Sequence, residues 1–185
     1  MKVQGALPEG IPEITENAFA LVDGPFEKLY IPADVTHIAP LHKWGGLFYE
    51  AEVSSENIFY KVIDGSIFSA DGKQLVRVKI SKDGYEIPKG VETVCEAALS
   101  DVEGRLTIPS SVIKMPEYGC IAAAVKTIRV DKDSYAEQYV KEHCARSRRI
   151  EVLFPDGKIE TVEPLEHKEC SGIRLPVEDW GELPF

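Results

Sequence analysis

Two imidazoles and two thiols lie near the C-terminus, in His143-Cys144 and His167-x-x-Cys170. These are the donor types of a tetrahedral zinc site. The spacing speaks against one, because adjacent residues are unusual as paired ligands and no C-x-x-C occurs in the chain. A Cys–His nucleophile at 143–144 fails on geometry, since sequence neighbours on a helix point in different directions. His37 and His42 are four residues apart but share no helix, and they read as polar loop residues. No G-x-S-x-G elbow, P-loop or G-x-G-x-x-G is present. With 31 acidic residues, any single pair of carboxylates carries no information. The sequence therefore predicts no catalytic residue, no metal ligand set and no cofactor, and a protein that is not an enzyme.

The elements that would position any site must come from a chain of 185 residues, enough for one domain with a small appendage. A formal net charge of −10 argues against nucleic acid, whose phosphates demand a basic face. The one basic cluster, Arg146, Arg148 and Arg149, is followed closely by Glu151 and reads as a solvated helix end. No stretch reaches the roughly 20 apolar residues of a membrane span. The start, MKVQGALPEG, has no apolar core of a secretory signal. Together with four scattered cysteines, Cys95, Cys120, Cys144 and Cys170, this points to a reduced, cytoplasmic setting. Cys95 and Cys120 fall at corresponding places of a repeat and are expected as small buried thiols.

That repeat is the strongest signal. The chain reads LPEGIPEITENAF from Leu7, IPADVTHIAPLHK from Ile31, IPKGVETVCEAAL from Ile87 and IPSSVIKMPEYGC from Ile108. An aliphatic residue, then Pro8, Pro32, Pro88 or Pro109, is followed by Ile11, Val35, Val91 or Val112, then by Ile14, Ile38, Val94 or Met115. The prolines are 24, 56 and 21 residues apart. The outer spacings are one solenoid turn each, and the middle one demands an insertion. Residues 58–80 supply it, with Asp64-Gly65 and Asp71-Gly72 between apolar runs, which predicts a meander of strands near 59–63, 66–69 and 75–80 that protrudes from the solenoid or extends it. Ahead of each proline the residues alternate, as in Leu29-Tyr30-Ile31, so a short strand with one buried face ends where proline removes a ladder donor. Ala18-Phe19 and Ala98-Leu99 close the turns. Trp44, in HKWGGLFY, reads as a packed anchor after an irregular repeat.

The frame resembles the BspA-like leucine-rich repeat, whose consensus runs I-P-x-x-V-x-x-I-x-x-x-A-F. The copies at 7–19 and 87–99 match nearly throughout, those at 31–43 and 108–120 in their first halves. The stretch YKVIDGSIFSADGKQLVRV resembles the β-rich element that interrupts repeats in this family. IRVDKDSYAEQYVKEH (128–143) resembles its capping strand and helix, with Ser134 as N-cap, Glu137 completing a capping box, and Tyr135, Ala136, Tyr139 and Val140 on one face. The expected fold is an α/β repeat, a short leucine-rich-repeat solenoid with a parallel β-sheet face. Repeats start near 7, 31, 87 and 108, with a β insertion at 50–82 and a helical cap at 126–144 in a domain spanning 1–144. A C-terminal β-hairpin around Pro155-Asp156-Gly157-Lys158 and a tail follow in 145–185.

Alternation places Tyr30, Glu86, Thr107 and Arg129 outward, as a ladder on the sheet face where curved solenoids recognise partners. What the resemblance implies is a non-enzymatic binding scaffold for a protein or glycan partner at the cell surface or secreted, with no nucleic acid and no membrane insertion. The alternative is a structural protein that forms homo-oligomers through its C-terminal hairpin and tail.

Overall fold

The proline of each repeat stops a strand. In the structure, a computed structural model, β3 (Phe26–Ile31) ends before Pro32, β11 (Gly104–Ile108) before Pro109, and β9 (Tyr85–Glu86) one residue short of Ile87-Pro88. Residues 3–19, 22, 24–40, 47–117, 121–144 and 149–163 are described, with the backbone alone at 3–6 and 144. The expectations on His42, Trp44, Cys120, Arg146, Arg148, His167, Cys170 and the tail lie outside these residues.

Adjacent rungs pair in parallel, giving a β-solenoid of about six turns with a single short α-helix among the described residues. β1 (Val3–Ala6), β3 and β5 (Ala51–Val53) form one sheet. Further along, β9, β11, β12 (Val125–Val130) and β13 (Ile150–Leu153) form another, with β14 (Ile159–Val162) added antiparallel at its side. A second column runs along the stack as two-residue strands. β2 (Glu13–Ile14) pairs β4 (His37–Ile38), and β10 (Thr93–Val94) bridges to Lys114. The aliphatic frame faces inward: Ile31, Val35 and Ile38, Ile87, Val91 and Val94, and Ile108, Val112 and Met115 are all buried.

The insertion neither protrudes nor sits apart. Its strands are β6 (Tyr60–Ile63), β7 (Ser66–Ser69) and β8 (Gln74–Arg77). Asp64 (φ 48) and Gly65 (φ 72) both adopt positive φ, the requirement of a two-residue type I′ hairpin turn. β8 leaves the meander to pair in parallel with β10, taking a place in the second column. On β7, consecutive residues face opposite ways. Ile67 joins a core with Phe19, Phe26 and Ile31, whereas Phe68 joins the larger core of Val91, Leu106 and Ile128. β7 is thus a wall between two hydrophobic cores. Arg77 pins the joint: its guanidinium donates to the Ala97 carbonyl at 2.6 Å and to the Asp101 carboxylate at 2.5 Å.

Tyrosine hydroxyls complete the second column where no strand follows. Ile38 N–H donates to Tyr60 Oη at 3.0 Å, and Met115 N–H to Tyr135 Oη at 3.1 Å. Tyr135 begins α1 (Tyr135–Tyr139), which runs into a π-helical turn at Val140–Cys144. Ser134 Oγ accepts the Glu137 N–H as expected of an N-cap, while the Glu137 carboxylate reaches back to Asp133 N–H, one residue before the cap. Ala136, Tyr139 and Val140 pack into the larger core, but the Tyr135 ring remains 37% exposed. Beyond the helix, Ile150 to Leu153 pair in parallel with β12 as well as antiparallel with β14, so the hairpin continues the solenoid sheet.

Candidate functional site

On the larger sheet the side chains alternate from Tyr85, Leu106, Ile128 and Ile150 onward. Tyr85, Leu106, Ile128, Val130 and Val152 enter the core, and the residues between them face out. Register aligns these outward residues: Glu86 opposes Thr107, Thr107 opposes Arg129, Arg129 opposes Leu153, and Leu153 opposes Ile159. One row therefore crosses the sheet from an acid, through a hydroxyl and a guanidinium, to two aliphatics. Glu86 and Arg129 are exposed, Thr107 and Leu153 half-buried. Ile159 is 58% exposed.

A cleft of about 210 Å³ opens along the upper side of this row, lined by Glu86, Lys89, Thr107, Arg129, Asp131 and Pro155 among others. Three of its four charged groups, Glu86, Lys89 and Arg129, are uncommitted. Most of the other lysines near a carboxylate are paired: Lys28 with Glu52 at 2.6 Å, Lys73 with Glu92 at 2.7 Å, Lys158 with Glu160 at 2.7 Å. Those partners hold the three ammonium groups above the ordinary lysine pKa, through the side-chain hydrogen bond first and the opposite charge second. By contrast, among the described residues none of Glu86, Lys89 and Arg129 is held in an ion pair. Asp131 is engaged, accepting the Ser110 N–H at 3.1 Å.

Of the four outward residues expected to form one ladder, the structure brings together Glu86, Thr107 and Arg129. Tyr30 belongs to the other sheet, where it opposes Ala6 and Glu52. The meander is the cause, since it occupies the stack between β5 and β9 and splits the parallel face in two. Alternation identified which residues point out, but could not reveal that split. Leu153 and Ile159 join the row through the register of β13 with β12 and β14, which turn chemistry at Pro155-Asp156-Gly157-Lys158 alone does not reveal. Their signal was present in the alternation of Ile150-Glu151-Val152-Leu153.

Among the described residues, the remaining chemistry-bearing side chains do not assemble. The His143 ring lies 4.7 Å from that of Tyr139, with Nε2 3.9 Å from the Glu142 carboxylate. Among the described residues no group of three or more His, Cys, Asp or Glu could hold a metal. Cys95 is half-buried rather than fully buried, and desolvation pushes its thiol above the usual cysteine range. A second depression of about 440 Å³ follows the outer face of α1, where Glu137 and Lys141 (2.6 Å) and Gln138 and Glu142 (2.9 Å) satisfy one another. No described helix is long and apolar enough to cross a membrane.

No protein-family model matches the chain, and no curated protein matches it. Among solved structures it is similar to the pneumococcal vaccine antigen PcpA, with 19% identity and a TM-score of 0.47 over 64% of this chain and 33% of that one. It is also similar to a leucine-rich repeat protein from Eubacterium ventriosum, with 18% identity and a TM-score of 0.48 over 70% of this chain and 42% of the other. A leucine-rich cell surface protein from Faecalibacterium prausnitzii gives 18% identity and a TM-score of 0.44, over 67% and 46% respectively. The chain thus spans less than half the length of each. The chain is a β-solenoid of parallel rungs, and this architecture fits the resemblance of its I-P-x-x-V frame to the BspA-like leucine-rich repeat family.

Proposed function

We propose that the protein is a non-enzymatic scaffold that binds a protein or glycan partner through the outward face of β9 to β14. Glu86, Thr107 and Arg129 are the contact residues there, and Tyr30 serves a second, smaller surface on the sheet of β1, β3 and β5. The observation that carries this reading is the in-register row beside the cleft, where Glu86 and Arg129, with Lys89 in the cleft next to them, lack the ion pairs formed elsewhere on the surface. Leaving charges exposed and uncompensated on a rigid face favours recognition, because the groups stay oriented and need not be released from other partners. The test is to select binders on the full chain from a displayed peptide library and a printed glycan array. Binders should lose about tenfold or more in affinity on a Glu86→Ala/Thr107→Val/Arg129→Ala variant, the loss expected when charge-assisted contacts are removed. Ligands that bind this variant and the parent equally would refute the assignment.

A second reading, self-assembly through the hairpin, is favoured by one feature. Among the described residues β14 is the outermost strand of its sheet, and it carries the exposed Ile159. Light scattering distinguishes the two readings: a stable dimer that dissociates when residues 171–185 are removed supports assembly, and a monomer at all concentrations rejects it.

A further inference from the structure

We propose that the row from Glu86 to Ile159 recognises an extended peptide segment of a protein partner, one that carries a carboxylate and an aliphatic side chain two residues apart. This rests on reading the sheet face as the binding surface.

The row has a polarity. Strands are about 4.8 Å apart, so its four steps span roughly 19 Å, about the length of six extended residues. At one end Glu86 supplies a lone acid. In the middle stands the Arg129 guanidinium, with Lys89 lining the same cleft. At the other end Leu153, Ile159 and the exposed Pro155 form an aliphatic shelf. Asp131 accepts the Ser110 N–H and keeps its charge, so Lys89 and Arg129 share the opening with two carboxylates, Glu86 and Asp131. On a chain of net charge −10 this makes the cleft locally neutral, and the Arg129 guanidinium, held in no ion pair among the described residues, is the group there that can meet an anion. The planar fork of arginine matches a carboxylate through two parallel hydrogen bonds.

The shelf fixes the rest of the ligand. Leu153 lies one strand beyond Arg129 and Ile159 two strands beyond, about 5 and 10 Å away. In an extended peptide, residues i and i+2 project from one face about 6.7 Å apart, between those distances. An acid over Arg129 therefore sets the side chain two positions away, toward the shelf, against Leu153 and Ile159. A basic residue on the far side of the acid completes the match at Glu86. A glycan fits less well, because its hydroxyls would lose water against Leu153 and Ile159 and gain no partner.

The experiment pans random short peptides displayed on phage against the full chain. Enriched sequences are then synthesised and their affinities measured by fluorescence anisotropy. The expected consensus is an acid and a Leu, Ile or Val separated by one residue, in a single order shared by the enriched sequences. Its binding falls about tenfold or more on Arg129→Glu and on replacing the peptide's acid by its amide, and several-fold on Leu153→Ser. It is unchanged on Lys28→Ala, which sits on the other sheet. Circular dichroism verifies that each variant is folded, and Ile159→Ser replaces Leu153→Ser if the latter is not. Selection of peptides without an acid, or of none, overturns the proposal. An oligosaccharide whose binding is lost on Arg129→Glu overturns the peptide while sparing the sheet face. Ligands indifferent to every substitution in the row overturn both.

Discussion

Gly84 immediately precedes β9 and governs how closely that rung approaches the next. It adopts φ +111, and a Cβ there would lie within 3.0 Å of the Arg105 carbonyl oxygen and 3.3 Å from the Arg105 carbonyl carbon and amide nitrogen. These are backbone atoms of β11, so no side chain can swing aside. Gly84→Ala should therefore incur two penalties. Left-handed backbone costs an L-residue about 1–2 kcal/mol. Forcing a methyl group against packed backbone costs about 1–3 kcal/mol more. The sum is about 2–5 kcal/mol. Gly10 is the control: it has φ +80, but a methyl group there would meet nothing within 4 Å, so Gly10→Ala should incur only the first penalty. Urea denaturation followed by circular dichroism gives both values on one scale. Because Ile87 N–H donates to the Thr107 carbonyl at 3.0 Å, Gly84→Ala should also speed exchange of the Ile87 amide and disturb the alignment of Glu86 with Thr107. Equal destabilisation by the two substitutions would refute the claim that close rung contact, rather than backbone conformation alone, requires glycine at 84.

Three further outcomes follow from polar groups. Asn57 is 8% exposed; its amide donates to the Pro32 and Val35 carbonyls at 2.8 and 2.9 Å, and its oxygen accepts the Phe59 and Tyr60 amides. Asn57→Ala should cost about 3 kcal/mol in chemical denaturation, because several buried groups lose partners together. Asp101→Ala should cost about 3–5 kcal/mol by depriving the buried Arg77 guanidinium of its carboxylate, and an Arg77→Met/Asp101→Leu double variant should recover much of that loss. The Asp71 carboxyl is held below the ordinary aspartate range, first by the Ser69 hydroxyl at 2.5 Å and then by the Lys73 amide. Its contribution to stability is present above the unfolded value of 3.8 and disappears as pH falls through the lower folded value, so an NMR titration should show the Asp71 midpoint rise in Ser69→Ala.

What was legible in the sequence was local chemistry. Proline after an aliphatic residue marked the ends of β3 and β11, Asp64-Gly65 marked a hairpin, and Ser134 marked a helix start, because each acts within a few residues. The two-residue strands β2, β4 and β10 were not legible, being too short to display a period of two. Nor were the hydroxyls of Tyr60 and Tyr135, whose partners lie 22 and 20 residues away in chain and meet them only through stacking. The hairpin shows the same limit. Pro155-Asp156-Gly157 announces the antiparallel neighbour of β13, whereas its parallel neighbour β12 depends on the whole stack. The candidate site inherits this division: alternation exposed Glu86, Thr107 and Arg129 as outward residues, and only register joined them to Leu153 and Ile159.

The wall formed by β7 bears on how far the two halves of the solenoid act as one. In a stacked repeat, stability is close to a sum of rung terms and neighbour terms, so a defect spreads only as far as the contacts it weakens. Ile67 and Phe68 are both fully buried and adjacent in sequence, yet they contact different cores. Ile67→Ala should cost about 2–5 kcal/mol and Phe68→Ala about 3–5 kcal/mol, from lost burial and the cavities left behind. The losses should fall in different places. Native-state hydrogen exchange on Ile67→Ala should show weakened protection in β3 and β5, with β11 and β12 spared, and Phe68→Ala should show the reverse. If instead both variants loosen all four strands equally, β7 does not partition the molecule. The two cores then unfold as a single cooperative unit joined through β8, β10 and the Arg77–Asp101 pair.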